Sequence, residues 1–462
     1  MAGSNAGQQS TKPLPPGNLG LPWIGESLAI AGNNHGFYKD RFAKYGPIFK
    51  TRLFGINFVV FSGPEGMERF ANDPAIVRGG ADPLSVQQIF VNSLALTDGP
   101  PHRERKAAML MAMQHRDALA KFLPRMERIM TSYIARWETA RDVKMMHELF
   151  LMAAELSGAI FTGDESKEGI EELRDVGVGM RGAFMTPPIA IPGTTYAKAI
   201  AARKRMQALI KRAIARHRTG AYDTALTTML AEADKAGRTE EKVGGDLLHL
   251  LFAGQGGFTV PLTVSMLTLP QFPALMQQAR EEVMAVAPEG PLTMEHMDKL
   301  EFLERFSKEI RRYYAMNSAT FFGRVTAPME VGGYSIPAGW GAIGAIHITM
   351  RSSAVYDDPT KFDPDRFLPE RIEARPSGSY VPHGHGPRSG HKCPAEDMVA
   401  VAVKAFFAIM LRRNNTWTLP PQDLTLSNEL FPLPVSGLNV HFEKVPARSE
   451  NLPRAADGLA RR

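Results

Sequence analysis

From about residue 99 to residue 316 the apolar residues recur every three or four positions, and no other feature limits the possible folds of this chain so strongly. Segments such as "PHRERKAAMLMAM", "RMERIMTSYIARWETA" and "AIAARKRMQALIKRAIARH" each carry an apolar stripe on one face. A helix with one apolar face must bury it against another element, so helix packed on helix is expected through this region. Alternating runs flank it. "PIFKTRLFGINFVVFSG" predicts a β-hairpin with a Gly-Ile-Asn turn, and "MEVGGYSIPAGWGAIGAIHIT", "WTL" and "LPVSGLNVHFE" predict short strands further on. The expected fold is mainly α with small β-sheets near both ends, an α+β chain.

No composition shift, linker or internal repeat divides residues 23–445, which are therefore expected to form a single catalytic domain. Residues 1–22 read as a disordered tail and proline-rich entry, and residues 446–462 as a second tail. Lysine and arginine number 54 against 48 acidic residues, a net charge of only +6, and no basic run stands out. Nucleic acid is thus not an expected partner, whereas a basic patch for an acidic protein remains open. The N-terminus shows no signal region, and no stretch reads as a transmembrane anchor. With 1 cysteine the chain can form no internal disulfide, and a cytoplasmic location is the simpler expectation.

That cysteine lies in "HGHGPRSGHKCPAEDMVA", His383 to Ala400, after a glycine-rich loop and before an apolar helix. Pro394 suits a first helical position, which would put Cys393 at a helix N-terminus where a thiolate is favoured. A thiolate there is a nucleophile or a metal ligand; a buried structural cysteine is the alternative. His383, His385, His391 and Cys393 also raise zinc, although structural zinc sites usually draw ligands from two spaced pairs.

Taken together, several motifs resemble the cytochrome P450 superfamily of heme-thiolate enzymes, over about Leu14 to Glu443. "PLPPGNLGLPWIGESL" is similar to its entry segment, and "LTDGPPHRERKAAM" to a helix that contacts heme propionates, with His102 and Lys106 at the matching places. "DKLEFLERFSKEIRRYY" carries a Glu-x-x-Arg as Glu309 and Arg312, and "FDPDRF" supplies Arg366 for the same buried charge network. "GRVTAPMEVGGYSIPAGW" provides Arg324 as a propionate partner. The resemblance implies heme b with Cys393 as axial ligand to the iron, whose electron density the thiolate raises. His102, Lys106, Arg324, Arg388 and His391 are the further candidates for holding the cofactor. It also implies a ferredoxin or flavodoxin-type redox partner at a basic proximal face.

Two departures bear on the chemistry. The family's usual loop is Phe-x-x-Gly-x-Arg-x-Cys-x-Gly, but Gly386, Ser389, His391 and Ala395 occupy its fixed positions here. "GHKCPAE" instead looks like the loop of fatty-acid peroxygenases, and somewhat like that of allene oxide synthases and hydroperoxide lyases. In "GGDLLHLLFAGQGGFTVPLTVSM" the acid and alcohol that ordinarily relay protons are replaced by Gly256 and Gly257. Glycine delivers no proton. Each also costs about 1 kcal/mol in a helix interior and Pro261 more, so the helix is expected to open or kink. Gln255 and Thr259, one turn apart, are candidate substitutes, Thr259 for proton transfer through water and Gln255 for binding substrate.

The pocket is expected from Ile89 to Leu94, Phe184 to Ile191, Ala253 to Val260 and Ser318 to Phe322, with Phe90, Phe184, Phe258 and Phe321 making it suited to a hydrophobic small molecule. The leading expectation is a monooxygenase of a lipid, terpenoid or other secondary metabolite. Peroxide-driven oxidation or hydroperoxide rearrangement is the alternative within enzymes, and a heme-binding carrier or sensor the alternative outside them.

Overall fold

A computed structural model describes residues 12–184, 186–428 and 432–443. The tail at 446–462 and the first eleven residues lie outside the described residues. Helices dominate: Gly99–Met113, Arg116–Ala140, Met145–Ser157, Lys167–Arg181, Thr195–Thr219, Ala225–Lys235, Glu240–Thr268, Pro273–Val286 and Glu301–Tyr314 follow one another through the periodic region. Local chemistry starts several of them. The side chains of Ser166, Thr194 and Thr224 each accept a hydrogen bond from a backbone N–H of the first turn.

The strands are short: β1 (Ile48–Leu53), β2 (Ile56–Phe61), β3 (Ile76–Val77), β4 (Asp142–Lys144), β5 (Gly323–Val325), β6 (Met329–Val331), β7 (Tyr334–Ile336), β8 (Gly341–Gly344), β9 (Thr416–Thr418) and β10 (Asn439–Glu443). They form sheets in the orders β1-β2-β8-β5-β3, β4-β10-β9 and β6-β7. The first hairpin turns at Phe54-Gly55 rather than at Gly-Ile-Asn, because Leu53 pairs with Ile56. A two-residue turn of this hand needs positive φ at both positions, and Phe54 and Gly55 have φ of 53° and 81°.

The described part of the entry segment is docked. Lys50 donates its N–H to the Pro16 carbonyl at 2.8 Å and Ser335 to that of Pro13 at 2.9 Å. Any side chain at Gly17 would begin 2.0 Å from the Lys50 oxygen. Residues 12–22, the proline-rich entry, thus pack against a strand edge that the sequence could not assign.

The central helix, Glu240–Thr268, neither opens nor breaks at Gly256, Gly257 or Pro261. It is buried along most of its length and packs against the helices Met145–Ser157 and Thr195–Thr219. Burial on several sides outweighs a few kcal/mol of unfavourable propensity. By length and composition it could also cross a membrane, unlike the expectation for any stretch of this chain, but 83% of its most apolar window is buried inside the protein. Arg105 ties its first turns to the helix Gly99–Met113 through Asp246, with Nε 3.0 Å from Oδ2.

Candidate functional site: a cavity between Cys393 and the central helix

A cavity of about 390 Å³ separates the cysteine loop from the central helix. On one side stands Cys393, whose N–H donates to the His383 carbonyl at 2.9 Å. Its Sγ accepts from the Ala395 N–H at 3.5 Å. The following helix begins at Glu396, so Pro394 sits in the turn before it and not at its first position. Burial pushes the thiol's pKa up, only partly opposed by the Ala395 N–H and by Lys106. Burial rather than a helix terminus thus dominates the free cysteine, and a bound metal would have to drive its deprotonation.

Polar groups gather at one edge. His102 and His391 place their rings 4.1 Å apart. Lys106 donates to the Lys392 carbonyl, and Asp98 stands 3.3 Å from His391 Nε2. Burial lowers His102 to about 3, with repulsion from His391 and Lys106 adding to it, so that ring is neutral at pH 7. Burial also lowers Lys106 to about 8, against the pull of Cys393. Burial alone would raise Asp98, but hydrogen bonds from His391 and from the Arg78 and Gly79 N–H groups outweigh it and hold the carboxyl at about 2.

Arg324, in contrast, is exposed on β5 and does not line the cavity. It is the neighbouring strand that supplies an arginine: Arg78, just after β3, lines the cavity and donates from Nη1 to the Phe321 carbonyl at 3.0 Å. Its guanidinium lies 3.9 Å over the Phe70 ring. No sequence motif marked it, because its position depends on the pairing of β3 with β5. Arg388 is also turned away: it is 57% exposed and pairs with Asp397 at 2.7 Å on the surface. Nor do the histidines gather around zinc. His383 bonds Arg311, His385 bonds Glu68 and His391 bonds Asp98, and the described residues contain no cluster of three metal ligands.

On the opposite side Leu250, Ala253, Gly254, Gly257 and Phe258 face the cavity, the spacing of one helical face. Gln255, Gly256 and Thr259 do not line it. Gln255 donates from Nε2 to the Leu173 carbonyl at 2.7 Å, in space kept open by Gly177, where a Cβ would come within 2.3 Å of its amide. Thr259 stands 3.4 Å from the Leu149 carbonyl. Both candidate substitutes for the missing relay are therefore structural contacts on the far face of the helix. At Gly257 a Cβ would meet only Val399, at 3.9 Å, so the cavity is open there. Phe184, Phe321 and Ser318 to Phe322 line the cavity as expected, while Phe90 packs behind them and Ile189 and Ile191 lie on the surface.

Beside the cysteine loop Glu309 and Arg312 are fully buried, with Arg312 Nε 2.6 Å from Oε2 and Nη2 2.7 Å from Oε1. Arg312 Nη1 also donates to the Met350 and Pro359 carbonyls, each at 3.0 Å. Arg366 lies 3.7 Å from Glu309, a charge contact rather than a hydrogen bond.

The residues present fit heme. A thiol faces one side of the cavity, an apolar wall with open space at Gly257 faces the other, and Arg78, His102, Lys106 and His391 could hold two carboxylates at one edge.

The model of the family described as cytochrome P450 matches residues 15–441. Among the chain's relatives, a putative cytochrome P450 120 of Synechocystis sp. is 29% identical over 439 residues, 94% of this chain and 97% of that one. Abscisic acid 8'-hydroxylase 1 of Oryza sativa subsp. japonica is 25% identical over 457 residues, 97% of this chain and 94% of that one. A solved structure, retinoic acid bound cyanobacterial CYP120A1, superposes with a TM-score of 0.86 at 29% identity, covering 94% of this chain and 100% of the other. With the cysteine loop, the buried Glu309–Arg312 pair beside it and the cavity under the central helix in place, the chain belongs to the cytochrome P450 family, heme b enzymes of monooxygenase type.

Proposed function

We propose that this enzyme oxidises a lipophilic small molecule, a lipid, terpenoid or other secondary metabolite, in the cavity facing Cys393. The observation that carries this reading is the cavity itself, walled by Leu250, Phe252, Phe258, Phe184 and Phe321 and polar chiefly at the edge suited to heme carboxylates. The abscisic acid hydroxylase and the retinoic acid complex are relatives concerned with compounds of that broad kind.

Heme, when bound, supplies the iron at which an O–O bond is cleaved, with Cys393 as its ligand. The chain's own part is positioning and exclusion. Cys393 is fixed by the His383 carbonyl, Arg78, His102, Lys106 and His391 would hold the carboxylates, and the aromatic wall would keep water from the reacting centre. Arg388 and Arg324 have no place in that set.

A second reading has a specific observation behind it. Gly256 and Gly257 offer no acid or alcohol, and Gln255 and Thr259 face away from the cavity. Oxygen supplied as a peroxide would not need the missing relay. The deciding experiment measures product formation by the heme-loaded enzyme with a reductase and dioxygen, and separately with hydrogen peroxide. Turnover of no lipophilic compound under either condition would overturn the reading as an oxidising enzyme.

A further inference from the structure

His249, one turn before Ala253 on the central helix, lines the cavity, and no sequence motif marks it. Protein surrounds it, yet it retains accessible surface, so the surface it keeps faces the cavity. Its ring is held against Phe90 at 4.7 Å and Phe321 at 5.6 Å between centroids. Nδ1 stands 2.9 Å from Ser93 Oγ. That hydroxyl already accepts the Ala95 N–H at 3.2 Å, and among the described residues Nδ1 is the acceptor available for its proton. With that proton donated to Nδ1, the ring proton sits on Nε2. Nε2 has no partner among the described residues.

We infer that His249 is a specificity-determining residue whose Nε2–H binds a neutral carbonyl oxygen of the substrate, in an otherwise apolar part of the cavity. Burial, with a smaller contribution from Lys106, lowers the ring's pKa to about 4, so it is an uncharged donor at pH 7. An uncharged donor suits a ketone, aldehyde or ester carbonyl. A carboxylate would bring a charge that this ring does not neutralise. On the helix His249 lies about 6 Å from Ala253 and about 12 Å from Gly257, at 1.5 Å per residue. The carbonyl would thus sit a hydrocarbon segment of roughly that length away from the carbon held over the cysteine side. A molecule of the right shape without the carbonyl would leave the Nε2–H unpaired, which is how a polar group in a dry pocket rejects an analogue.

This inference rests on the enzyme acting on a lipophilic molecule, and the experiment separates the two. The probes are dodecan-2-one and its isostere 2-methyldodec-1-ene, titrated into the heme-loaded enzyme and read by the shift of the Soret band. The ketone is expected to bind about tenfold more tightly than the alkene. His249→Phe should bring the two affinities together, and His249→Gln, which keeps an N–H donor, should retain most of the preference. If His249→Phe takes up no heme, the wild-type ratio and the glutamine variant decide. Equal binding of the two probes by the wild type, or a preference that survives His249→Phe, overturns the assignment and leaves the lipophilic pocket standing. No shift with either probe overturns both.

Discussion

Beside the cysteine, polar groups are numerous and bonded to one another; on the central helix His249 is the one polar side chain that lines the cavity. Glu309 receives two buried hydrogen bonds from Arg312 and a third from the Asp363 N–H at 2.8 Å. Across the cavity, Ala253, Gly254 and Gly257 present almost nothing, while Gln255 and Thr259 spend their polar atoms on neighbouring helices. The first region fixes a geometry, since the bidentate Glu309–Arg312 pair, bonded further to the Met350 and Pro359 carbonyls, has few alternative arrangements. The second makes room. The difference shows that a site can be precise on the side that holds a cofactor and permissive on the side that receives a substrate, within one core.

The comparison breaks most sharply at the cysteine. Cys393→Ser should abolish the red-shifted Soret band of the reduced, CO-bound protein, since thiolate ligation is its source. Retention of that band would remove Cys393 from the site.

The permissive side is tested by filling it. Gly257→Thr restores the family's alcohol, and the open space at Gly257 accepts the new side chain. A positioned acid–base group is worth about 10²–10⁴ in rate, so dioxygen-dependent turnover and product formed per NAD(P)H consumed should both rise. Tight coupling in the wild type, with no activity on any peroxide, would show instead that the glycines serve packing alone.

Glu309→Ala tests the precise side. It leaves the Arg312 guanidinium buried and uncompensated, a loss of about 3–5 kcal/mol, and heme incorporation should fail rather than turnover merely slow. Chemical denaturation and the heme-to-protein ratio measure this directly. Full heme content and wild-type stability would show that the Glu309–Arg312 pair does not hold the scaffold around the cysteine loop.

Gln255→Ala gives the smallest effect and sharpens the contrast. It removes one hydrogen bond to the Leu173 carbonyl, which keeps its bond within the helix Lys167–Arg181, and costs about 0.5–1.5 kcal/mol of stability. Coupling and the response to substrate should not change, because the side chain never reaches the cavity. A change in coupling at unchanged stability would return Gln255 to the catalytic group.

Cys393, Glu309, Arg312 and Arg366 could be read from the chain because each stands in a short motif whose spacing survives folding: three residues along one helix, or one loop before one helix. The helical region and the first hairpin were legible for the same reason, since periodicity is local. Arg324, Arg388, Gln255 and Thr259 were not, because a motif position names a residue without saying which way it points. Arg388 is only five residues from Cys393 yet lies on the surface, held by Asp397.

The sequence by itself determined a mainly helical core and the family, both of which rest on patterns carried within short stretches of chain. Tertiary structure alone decided that Arg78 rather than Arg324 borders the cavity, that the central helix runs unbroken past two glycines and a proline, and that His249 faces inward. Those outcomes depend on which strands pair and which helices crowd one another, and the burial gained in that packing exceeds the local preferences a sequence displays.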